Sequence, residues 1–429
     1  MLNYYRKISQ MAYWLLMPVL QIRCCLEGSD SLWCGRMGKV PPEVEEMSPY
    51  DIWFQAVSVG EVNVAEALVR AIDALNPGLK VIVSSTTPTG LARASSLFKS
   101  RCTVISYPLD FPQAVSRMVA TIRPKVYAPL ETELWPNMLE AVTASGAKAV
   151  LLNGRISSRS FRRYKLIENA VKPMLNKFTA ICAISDTYAR RFVELGAATE
   201  KVAVAGNAKF EGLLNRPNVA RAESLRAKLR IGHNEKVFVA GSIRKGEEII
   251  LAQAMEDIVK EMPASLFFIV PRHLARVSEV TNCLKQRSLG FDMWSELEVG
   301  KRREHNIVVV DVIGPLFDLY GLADVAFVGG SLVPKGGQNI MEPAAWGCPV
   351  LFGPSTDNFE ESSQALLQLG GGRLVKDVSD LGRQIREFFS NEKLTQKTGQ
   401  RALQALKQLA QNSATRQAQL ILEVLSSTG

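Results

Sequence analysis

The chain has 429 residues, enough for two or three domains of ordinary size. Apolar residues make up 47% and charged residues 22%, which is ordinary for a soluble globular protein. The formal net charge of +9 favours an anionic partner: acidic lipid, a phosphorylated substrate or nucleic acid. Because no RNP, helix-turn-helix or zinc-finger pattern is present, no nucleic-acid partner is expected.

Cysteine and histidine usage argues against metal sites. The seven cysteines are scattered without a C-x-x-C pattern, which predicts neither a disulfide framework nor a zinc site and favours a reducing compartment. Only three histidines occur, His233, His273 and His305, which argues against metal catalysis built on histidine. We therefore expect no metal and no cofactor.

A nearly unbroken apolar run covers residues 11–20, with Arg6 and Lys7 before it and Arg23 after it. It is short against the ~20 residues needed to cross a bilayer, and no small-residue cleavage site follows, so a removed signal peptide is not expected. Its aromatic residues and basic flanks suit the surface of an anionic leaflet. We predict that residues 1–30 form an interfacial or shallowly inserted membrane anchor; an ordinary buried helix is the alternative.

From Asp51 onward, short apolar runs alternate with helical patterns. The runs predicted as strands of a first domain start near positions 52, 80, 104, 126, 149, 180 and 202. A charged helical stretch at 219–230 separates them from a second series, which starts near positions 237, 266, 307, 325 and 350. This alternation predicts an α/β protein with two doubly wound parallel sheets. The closing segment, 381–425, is predicted to be helical, and one long helix could pack back on the first domain.

The stretch 324–354 combines a buried strand, a loop with two glycine pairs and a helix start. Gly336 and Gly337 are able to take backbone angles that other residues avoid. Asn339 is predicted to cap a helix whose N3 residue is Glu342. Such an arrangement binds the phosphate of a nucleotide, because free N–H groups and the helix dipole face the anion, and Glu342 could accept hydrogen bonds from ribose hydroxyls. The alternative is a capping box that holds no ligand.

Seven ordered blocks connect these patterns to a known family. They are A-V-S-V-G-E (56–61), T-P-T-G (87–90), E-T-E-L-W-P-N (131–137), N-G-R-I-S-S-R-S (153–160), G-N-A-K-F (206–210), P-R-H (271–273) and G-G-S-L-V-P-K-G-G-Q-N-x-x-E-P-A (329–344). In this order they resemble the 3-deoxy-D-manno-octulosonic acid (Kdo) transferases over nearly the whole chain.

The resemblance implies a GT-B fold, in which two Rossmann-like domains face a cleft. It places an acceptor-binding domain at 31–218 and a CMP-sugar-binding domain at 219–429. It also implies an inverting, metal-independent transfer of Kdo from CMP-Kdo to the lipid A precursor (lipid IVA). This reaction belongs to lipopolysaccharide core biosynthesis at the cytoplasmic side of the inner membrane, so the expected partners are the donor, the lipid acceptor and the membrane surface.

The resemblance assigns three catalytic positions. Glu61 matches the general base, and Glu131 and Lys209 match positions that stabilise the transition state. A carboxylate near the anomeric carbon and a cation near the phosphate suit a donor that loses CMP as positive charge develops on the sugar. The alternative for Glu61 is a capping residue, since S-x-x-E is a capping-box pattern, and the alternative for Lys209 is a surface lysine. Glu133 is expected to have a structural role, on the assumption that the strand persists past Glu131.

The resemblance also assigns donor contacts in the second domain. These substrate-binding residues are Pro271, Arg272, Ile313, Gly314, Pro315, Gly330, Ser331, Gly337, Asn339, Ile340, Met341 and Glu342. A basic run beside the acceptor domain is a hypothetical contact for lipid phosphates or bilayer headgroups, with a solvated helix face as the alternative: Arg155, Arg159, Arg162, Arg163 and Lys165.

Three positions depart from the family pattern. The family usually has His at Gln338, Glu at Pro315, and Ser-Thr-His where Ser242-Ile243-Arg244 stands. Proline removes an N–H and a carboxylate, and glutamine cannot become a cation, so donor contacts are expected to change. Two other functions remain open: a GT-B transferase that uses another nucleotide sugar, such as a UDP-hexose, on a lipid acceptor, and a catalytically silent nucleotide or lipid binder.

Overall fold

The computed structural model describes residues 2–27, 32–98, 100–232 and 234–427. Parts of the predicted anchor, at 1 and 28–30, and His233 lie outside the described residues. Internal contacts divide the chain into two units, Met1–Gly212 with Ala410–Gly429, and Leu213–Leu409. Each unit is an α/β domain built on a parallel sheet, as predicted. The roles assigned to the domains and their boundary at 218/219 stay predictions.

The sheet of the first unit is parallel throughout. Its strands are β1 (Ile52–Ala56), β2 (Val81–Ser85), β3 (Thr103–Ser106), β4 (Val126–Pro129), β5 (Lys148–Gly154), β6 (Phe178–Ala183) and β7 (Val202–Val204). They lie in the order β3-β2-β1-β4-β5-β6-β7. The chain moves outward from β1 to β3 and then returns to the other side of β1. The loops after β1 and β4 therefore flank a topological switch point, the place where such sheets bind ligands.

The sheet of the second unit repeats this plan. Its strands are β8 (Lys236–Ile243), β9 (Ser265–Pro271), β10 (Asp292–Met293), β11 (Ile307–Val309), β12 (Val325–Val328), β13 (Val350–Phe352) and β14 (Gly372–Leu374). They lie in the order β10-β11-β9-β8-β12-β13-β14, again all parallel. The switch point falls between β8 and β12. The edge strands β10 and β14 were not predicted, because Asp292–Met293 and Gly372–Leu374 lack the apolar run that marks the other strands.

Helices cover both faces of each sheet, which is why the strands are apolar at nearly every position. The helices are α1 (Leu2–Glu27), α2 (Leu32–Arg36), α3 (Pro42–Met47), α4 (Val59–Leu75), α5 (Pro88–Phe98), α6 (Pro112–Ile122), α7 (Pro136–Ala144), α8 (Ser158–Leu166), α9 (Glu168–Lys177), α10 (Asp186–Glu194), α11 (Ala208–Leu214), α12 (Val219–Lys228), α13 (Glu247–Glu261), α14 (Val277–Gln286), α15 (Trp294–Glu298), α16 (Leu316–Tyr320), α17 (Met341–Ala345), α18 (Glu360–Leu369), α19 (Val378–Ser390), α20 (Glu392–Ala410) and α21 (Ser413–Ser426). The last of these belongs to the first unit, where Ala414, Ala418 and Ile421 share a buried cluster with residues of α4.

Helix α1 has two different faces. On its inner face, the Tyr5 hydroxyl donates to Asp110 at 3.0 Å, and Tyr13 packs edge-on against Phe111. Its outer face carries exposed apolar side chains three or four positions apart: Tyr4, Ile8, Met11, Leu15, Val19, Ile22 and Leu26. No helix within the described ranges is long and apolar enough to cross a bilayer. Both a docked helix and an exposed apolar stripe are thus present, and membrane association stays a prediction.

The cysteine prediction was wrong in one respect. A disulfide joins Cys24, near the end of α1, to Cys34 in α2, with a Cα–Cα distance of 5.0 Å. The sequence did not reveal this pair, because the two residues are brought together only when α1 and α2 pack around Leu20 and Met37. The disulfide links α1 covalently to α2.

Candidate active site

Glu61 lies one turn into α4, which begins directly after β1, and its side chain is only 7% exposed. The Val57 N–H donates to Glu61 Oε2 at 2.7 Å, and the Ser58 hydroxyl donates to Glu61 Oε1 at 2.9 Å. Ser58 Oγ accepts from the Glu61 N–H at 3.4 Å, which is one half of a capping box; the Glu61 carboxylate binds the N–H of Val57 in place of that of Ser58. Each carboxylate oxygen has a further lone pair, so capping does not prevent Glu61 from accepting a proton.

The electrostatic surroundings of Glu61 differ from those of an ordinary cap. Burial raises the pKa of Glu61 to about 7; the Val57 N–H opposes this rise, and the charges of Glu131 and Glu133 add to it. A carboxyl group with a pKa near neutrality has the proton affinity that general base catalysis at neutral pH needs. Perturbed carboxyl groups at a switch point are typical of functional sites.

Glu131 follows β4, the neighbour of β1, and has a left-handed backbone with φ of 59°. Its N–H donates to the Leu152 carbonyl at 2.9 Å, which fixes this bend against β5. Strand β4 ends at Pro129, so the assumption that the strand persists to Glu133 was wrong. Burial raises the pKa of Glu133, with a contribution from Glu131, which places Glu133 within the same group of carboxylates.

Lys209 belongs to α11, which follows the edge strand β7, and its side chain reaches this group of carboxylates. A Cβ atom on Gly60 would lie 3.6 Å from Lys209 Nζ and also 3.6 Å from Ser58 Oγ. The ammonium group thus lies beside the first turn of α4. The structure brings all three sequence-predicted catalytic residues to the carboxyl ends of the strands in the first unit.

The segment that carries Lys209 is braced by two buried amides. Asn153 Oδ1 accepts from the Ala208 N–H at 3.0 Å, and the Asn153 N–H donates to Gln417 Oε1 at 2.8 Å. Gln417 Nε2 donates in turn to the Gly206 carbonyl at 2.9 Å. Gln417 belongs to α21, so the last helix of the chain fixes the turn that leads to Lys209.

A basic pocket of about 440 Å³ lies between α8 and α10. Arg162 from the predicted basic run lines it together with Arg190. Arg191 donates to the Ile156 carbonyl at 2.6 Å and to Ser158 Oγ at 2.9 Å, so it holds α10 to the start of α8. The other lining residues are Phe161, Thr187 and Glu194. The sequence predicted the cations of α8 but not those of α10.

In the second unit, the predicted glycine loop follows β12 at the switch point. Gly329 cannot carry a side chain, because its Cβ would lie 2.5 Å from the Ile243 Cα and 2.7 Å from Glu247 Oε2. The N–H groups of Gly330, Ser331 and Leu332 all donate to the Glu247 carboxylate, at 2.7, 3.1 and 3.0 Å. These N–H groups were expected to face a phosphate, and they are occupied by a carboxylate of the protein itself.

Two arginines follow the neighbouring strands. Arg272 directly follows β9, and its Nε donates to Gln338 Oε1 at 3.2 Å. Arg244 follows β8, and its Nη1 lies 2.8 Å from His273 Nε2. Arg244 Nε is buried and lacks a hydrogen-bond partner among the described residues. The structure therefore gathers two of the three departures from the family pattern, Arg244 and Gln338, into one polar group.

The predicted nucleotide helix is α17, and it begins one residue later than expected. Ile340 occupies the N-cap position, while Asn339 Oδ1 accepts from the Met341 N–H at 3.2 Å. Asn339 Nδ2 donates to Glu342 Oε1 at 3.4 Å. Arg216 lies 3.9 Å from Glu342 and stacks on Phe317, also at 3.9 Å. Sequence reasoning missed Arg216, because no motif surrounds it.

The remaining predicted donor contacts differ in accessibility. Ser331, Ile340 and Met341 are fully buried, and the Ser331 hydroxyl donates to the Val328 carbonyl at 2.6 Å. Ile313 is 88% exposed and Gly314 has φ of 128°, so this loop presents its backbone openly. Pro315 is the N-cap of α16. In the described ranges, no group of three or more His, Cys, Asp or Glu side chains is placed to hold a metal ion.

Comparison with known proteins identifies the family. A family model described as 3-deoxy-D-manno-octulosonic-acid transferase (kdotransferase) matches residues 32–212. A 3-deoxy-D-manno-octulosonic acid transferase of Haemophilus influenzae is 31% identical over 359 residues, which cover 83% of this chain and 83% of that protein. The chain belongs to the Kdo transferase family. Kdo transferases are glycosyltransferases, so the predicted enzyme class is confirmed.

This member of the Kdo transferase family is also similar to one further relative in sequence and to a solved structure in fold. A bifunctional glycosyltransferase/methyltransferase of Fusobacterium nucleatum is 36% identical over 345 residues, covering 80% of this chain and 53% of that protein. The chain thus spans about half the length of this relative. A UDP-GlcNAc 2-epimerase from Neisseria meningitidis shares the fold, with a TM-score of 0.61 and 14% identity over 88% of this chain and 100% of that one.

Proposed function

We propose that the protein transfers Kdo from CMP-Kdo to the lipid A precursor, with inversion at the anomeric carbon and without a metal. The observation that carries this proposal is Glu61, a buried carboxyl group with a pKa of about 7 at the switch point of a Kdo transferase family member. The position of Lys209 beside the same helix turn supports it.

In the proposed reaction, the Glu61 carboxylate accepts the proton of an acceptor hydroxyl as the hydroxyl oxygen attacks the anomeric carbon. The bond between that carbon and the phosphate oxygen breaks, and CMP leaves with the electron pair. Attack from the side opposite to CMP inverts the configuration. Glu131 stabilises the positive charge that develops on the sugar, and Lys209 stabilises the negative charge on the departing phosphate.

We assign donor binding to the second unit. Arg244 and Arg272 supply cations near the loop after β12, and a guanidinium fork suits phosphate or carboxylate groups, both of which CMP-Kdo carries. Glu342 is assigned to the ribose hydroxyls, with Arg216 beside it. The backbone of 313–315 is assigned to the CMP moiety, because it is open to contact.

We assign the acceptor and the membrane to the first unit. The exposed apolar stripe on α1 suits the surface of a bilayer, and the chain's net positive charge suits an anionic leaflet. The basic pocket between α8 and α10 suits a phosphate of the lipid acceptor, because arginine binds phosphate through parallel hydrogen bonds. This assignment places the protein at the cytoplasmic side of the inner membrane.

The test is transfer to a tetra-acylated lipid A precursor, with products weighed by mass spectrometry. CMP-Kdo is expected to give a mass step of one or more Kdo residues, and the step counts the sugars added. UDP-hexoses are the control donors and are expected to give no product. Transfer from a UDP-hexose, or CMP binding without transfer, would refute the proposed reaction.

A further inference from the structure

Glu247 has no role in the reaction described above, yet it is the most enclosed carboxylate near the donor loop. It is the first residue of α13 and is 0% exposed. Its two oxygens accept four backbone N–H groups: those of Gly330, Ser331 and Leu332, and that of Arg244 at 2.7 Å. Among the described residues, no cationic side chain forms an ion pair with it, so backbone dipoles alone compensate its charge.

The carboxylate joins the two strands that flank the switch point. Arg244 follows β8 and Gly330 follows β12, and one carboxylate binds the N–H groups of both. Further bonds extend from these residues to the predicted donor contacts. The Arg272 N–H donates to the Ile243 carbonyl at 3.1 Å, and the Gly337 N–H donates to the Gly330 carbonyl at 2.8 Å. The positions of Arg272 and of the second glycine pair therefore depend on the residues that Glu247 fixes.

The occupied loop also changes where an anionic ligand finds N–H donors. Successive backbone N–H groups at a turn form an anion-binding concavity, and here Glu247 fills the one at 330–332. Three consecutive N–H groups further along, at Gln338, Asn339 and Ile340, have no acceptor among the described residues. They precede α17 and lie next to the Arg272–Gln338 contact.

We propose that Glu247 is a positioning residue for donor binding: it acts as an internal anion that fixes the loop at 330–332 and the backbone of Arg244. The N–H groups at 330–332 are then not available to the phosphate of the donor, which is assigned to the two arginines. This inference rests on the proposed function, since it concerns how CMP-Kdo is held.

The negative charge is required because all four partners are donors. Burial raises the pKa of Glu247, and the four N–H groups oppose that rise. In Glu247→Gln one oxygen is replaced by an amide nitrogen, which is itself a donor and would oppose two of the N–H groups. In Glu247→Asp the charge remains but the carboxylate is one methylene shorter. The first change is expected to release the loop, and the second to weaken it less.

The test compares Glu247→Gln and Glu247→Asp with wild type and with Glu256→Gln. Glu256 lies on the same helix and pairs with Lys260 and Arg287, so its variant controls for the loss of a charge on α13. The Kd for CMP and the KM for CMP-Kdo are expected to rise at least tenfold in Glu247→Gln, with the KM for the lipid acceptor unchanged. Glu247→Asp is expected to recover part of the affinity, and hydrogen exchange at 330–332 to accelerate in Glu247→Gln only.

Each other outcome has a defined meaning. An unchanged Kd for CMP in Glu247→Gln, or equal increases in both KM values, would overturn the inference. If Glu247→Gln does not fold, Glu247→Asp decides: CMP affinity equal to wild type overturns the inference, and a reduced affinity in a folded variant supports it. Wild type that binds CMP without transferring Kdo refutes the proposed reaction only, and the CMP comparison still applies. Wild type that binds no CMP overturns both.

Discussion

Replacing Glu61 by glutamine separates a catalytic base from a capping residue. Glutamine is a normal member of a capping box, so the Val57 and Ser58 contacts are preserved in kind while the proton acceptor is lost. General base catalysis contributes about 10²–10⁴-fold to a rate. We expect Glu61→Gln to lower kcat by that factor, with little change in the Kd for CMP, because we assign CMP binding to the other unit.

The same variant is expected to be more stable than wild type at high pH. Because burial raises the pKa of Glu61 from 4.5 to about 7, the folded protein binds a proton between these pH values that the unfolded chain does not. The stability gained from this proton is fully present below pH 4.5 and is lost as the pH rises through 7. At about 1.36 kcal/mol for each pH unit, the ionised carboxylate costs roughly 3 kcal/mol above pH 8.

Thermal unfolding and kinetics at pH 5.5 and 8.5 test both expectations. For a domain of this size, 3 kcal/mol corresponds to roughly 6–12 °C in Tm. We expect Glu61→Gln to exceed the wild-type Tm by an amount of this order at pH 8.5, and by much less at pH 5.5. In wild type, kcat/KM is expected to rise with pH and level off above about 7. Glu66→Gln, on the exposed side of α4, is the matched control. A Tm lowered at both pH values, with unchanged kcat, would show that Glu61 is only a cap.

Three further predictions concern other parts of the first unit. Gln417→Leu leaves the buried Asn153 N–H and the partly buried Gly206 carbonyl unpaired, and is expected to cost about 2–5 kcal/mol, visible as a lower Tm. An unchanged Tm would show that the Lys209 segment does not depend on Gln417. Leu15→Glu is expected to reduce co-sedimentation with anionic vesicles about tenfold. Its control is Gln21→Glu, which adds the same charge at an exposed polar position and is expected to have a smaller effect. Equal losses in the two variants would show that charge alone, and not the apolar stripe, determines binding. The double variant Arg162→Ala, Arg190→Ala is expected to raise the KM for the lipid acceptor about tenfold and to leave the KM for CMP-Kdo unchanged. An unchanged KM for the acceptor would show that the basic pocket does not bind it.

Much of the fold is predictable because the local pattern carries it. The apolar runs that became β1, β4, β8 and β12 are buried on both sides by helices, so period and composition alone identify them. Parallel strands with crossover helices then leave few possible topologies. The catalytic candidates Glu61 and Glu131 could be placed for the same reason, since both directly follow recognisable strands.

The residues that were missed depend on contacts between distant segments. Glu247 is the first residue of α13 and looks like an ordinary N-terminal acidic residue, yet three of its four partners are more than 80 positions away. Arg216 meets Glu342 and Phe317 only in the folded second unit. Glu133 was misjudged because the strand was assumed to continue, whereas the chain bends at Glu131. Sequence patterns report the periodicity of residues within one segment. Contacts between distant segments produce no such periodicity, so the sequence alone does not reveal them.

The structure also gives a physical reason for considering Arg244 and Gln338 together. A Cβ on Gly330 would lie 3.5 Å from both Arg244 Cγ and Gln338 Nε2, so the two side chains border the same turn. The family pattern has histidine at both positions, and histidine loses its charge near neutral pH. Here the neutral amide of Gln338 accepts from Arg272, and the guanidinium group of Arg244 contacts His273. The exchange of two histidines for one arginine and one amide therefore leaves a cationic side chain beside the loop and a neutral hydrogen-bond acceptor next to Arg272. A change at either position alone would lack the other's contribution, so we expect the two side chains to act together in the proposed donor site.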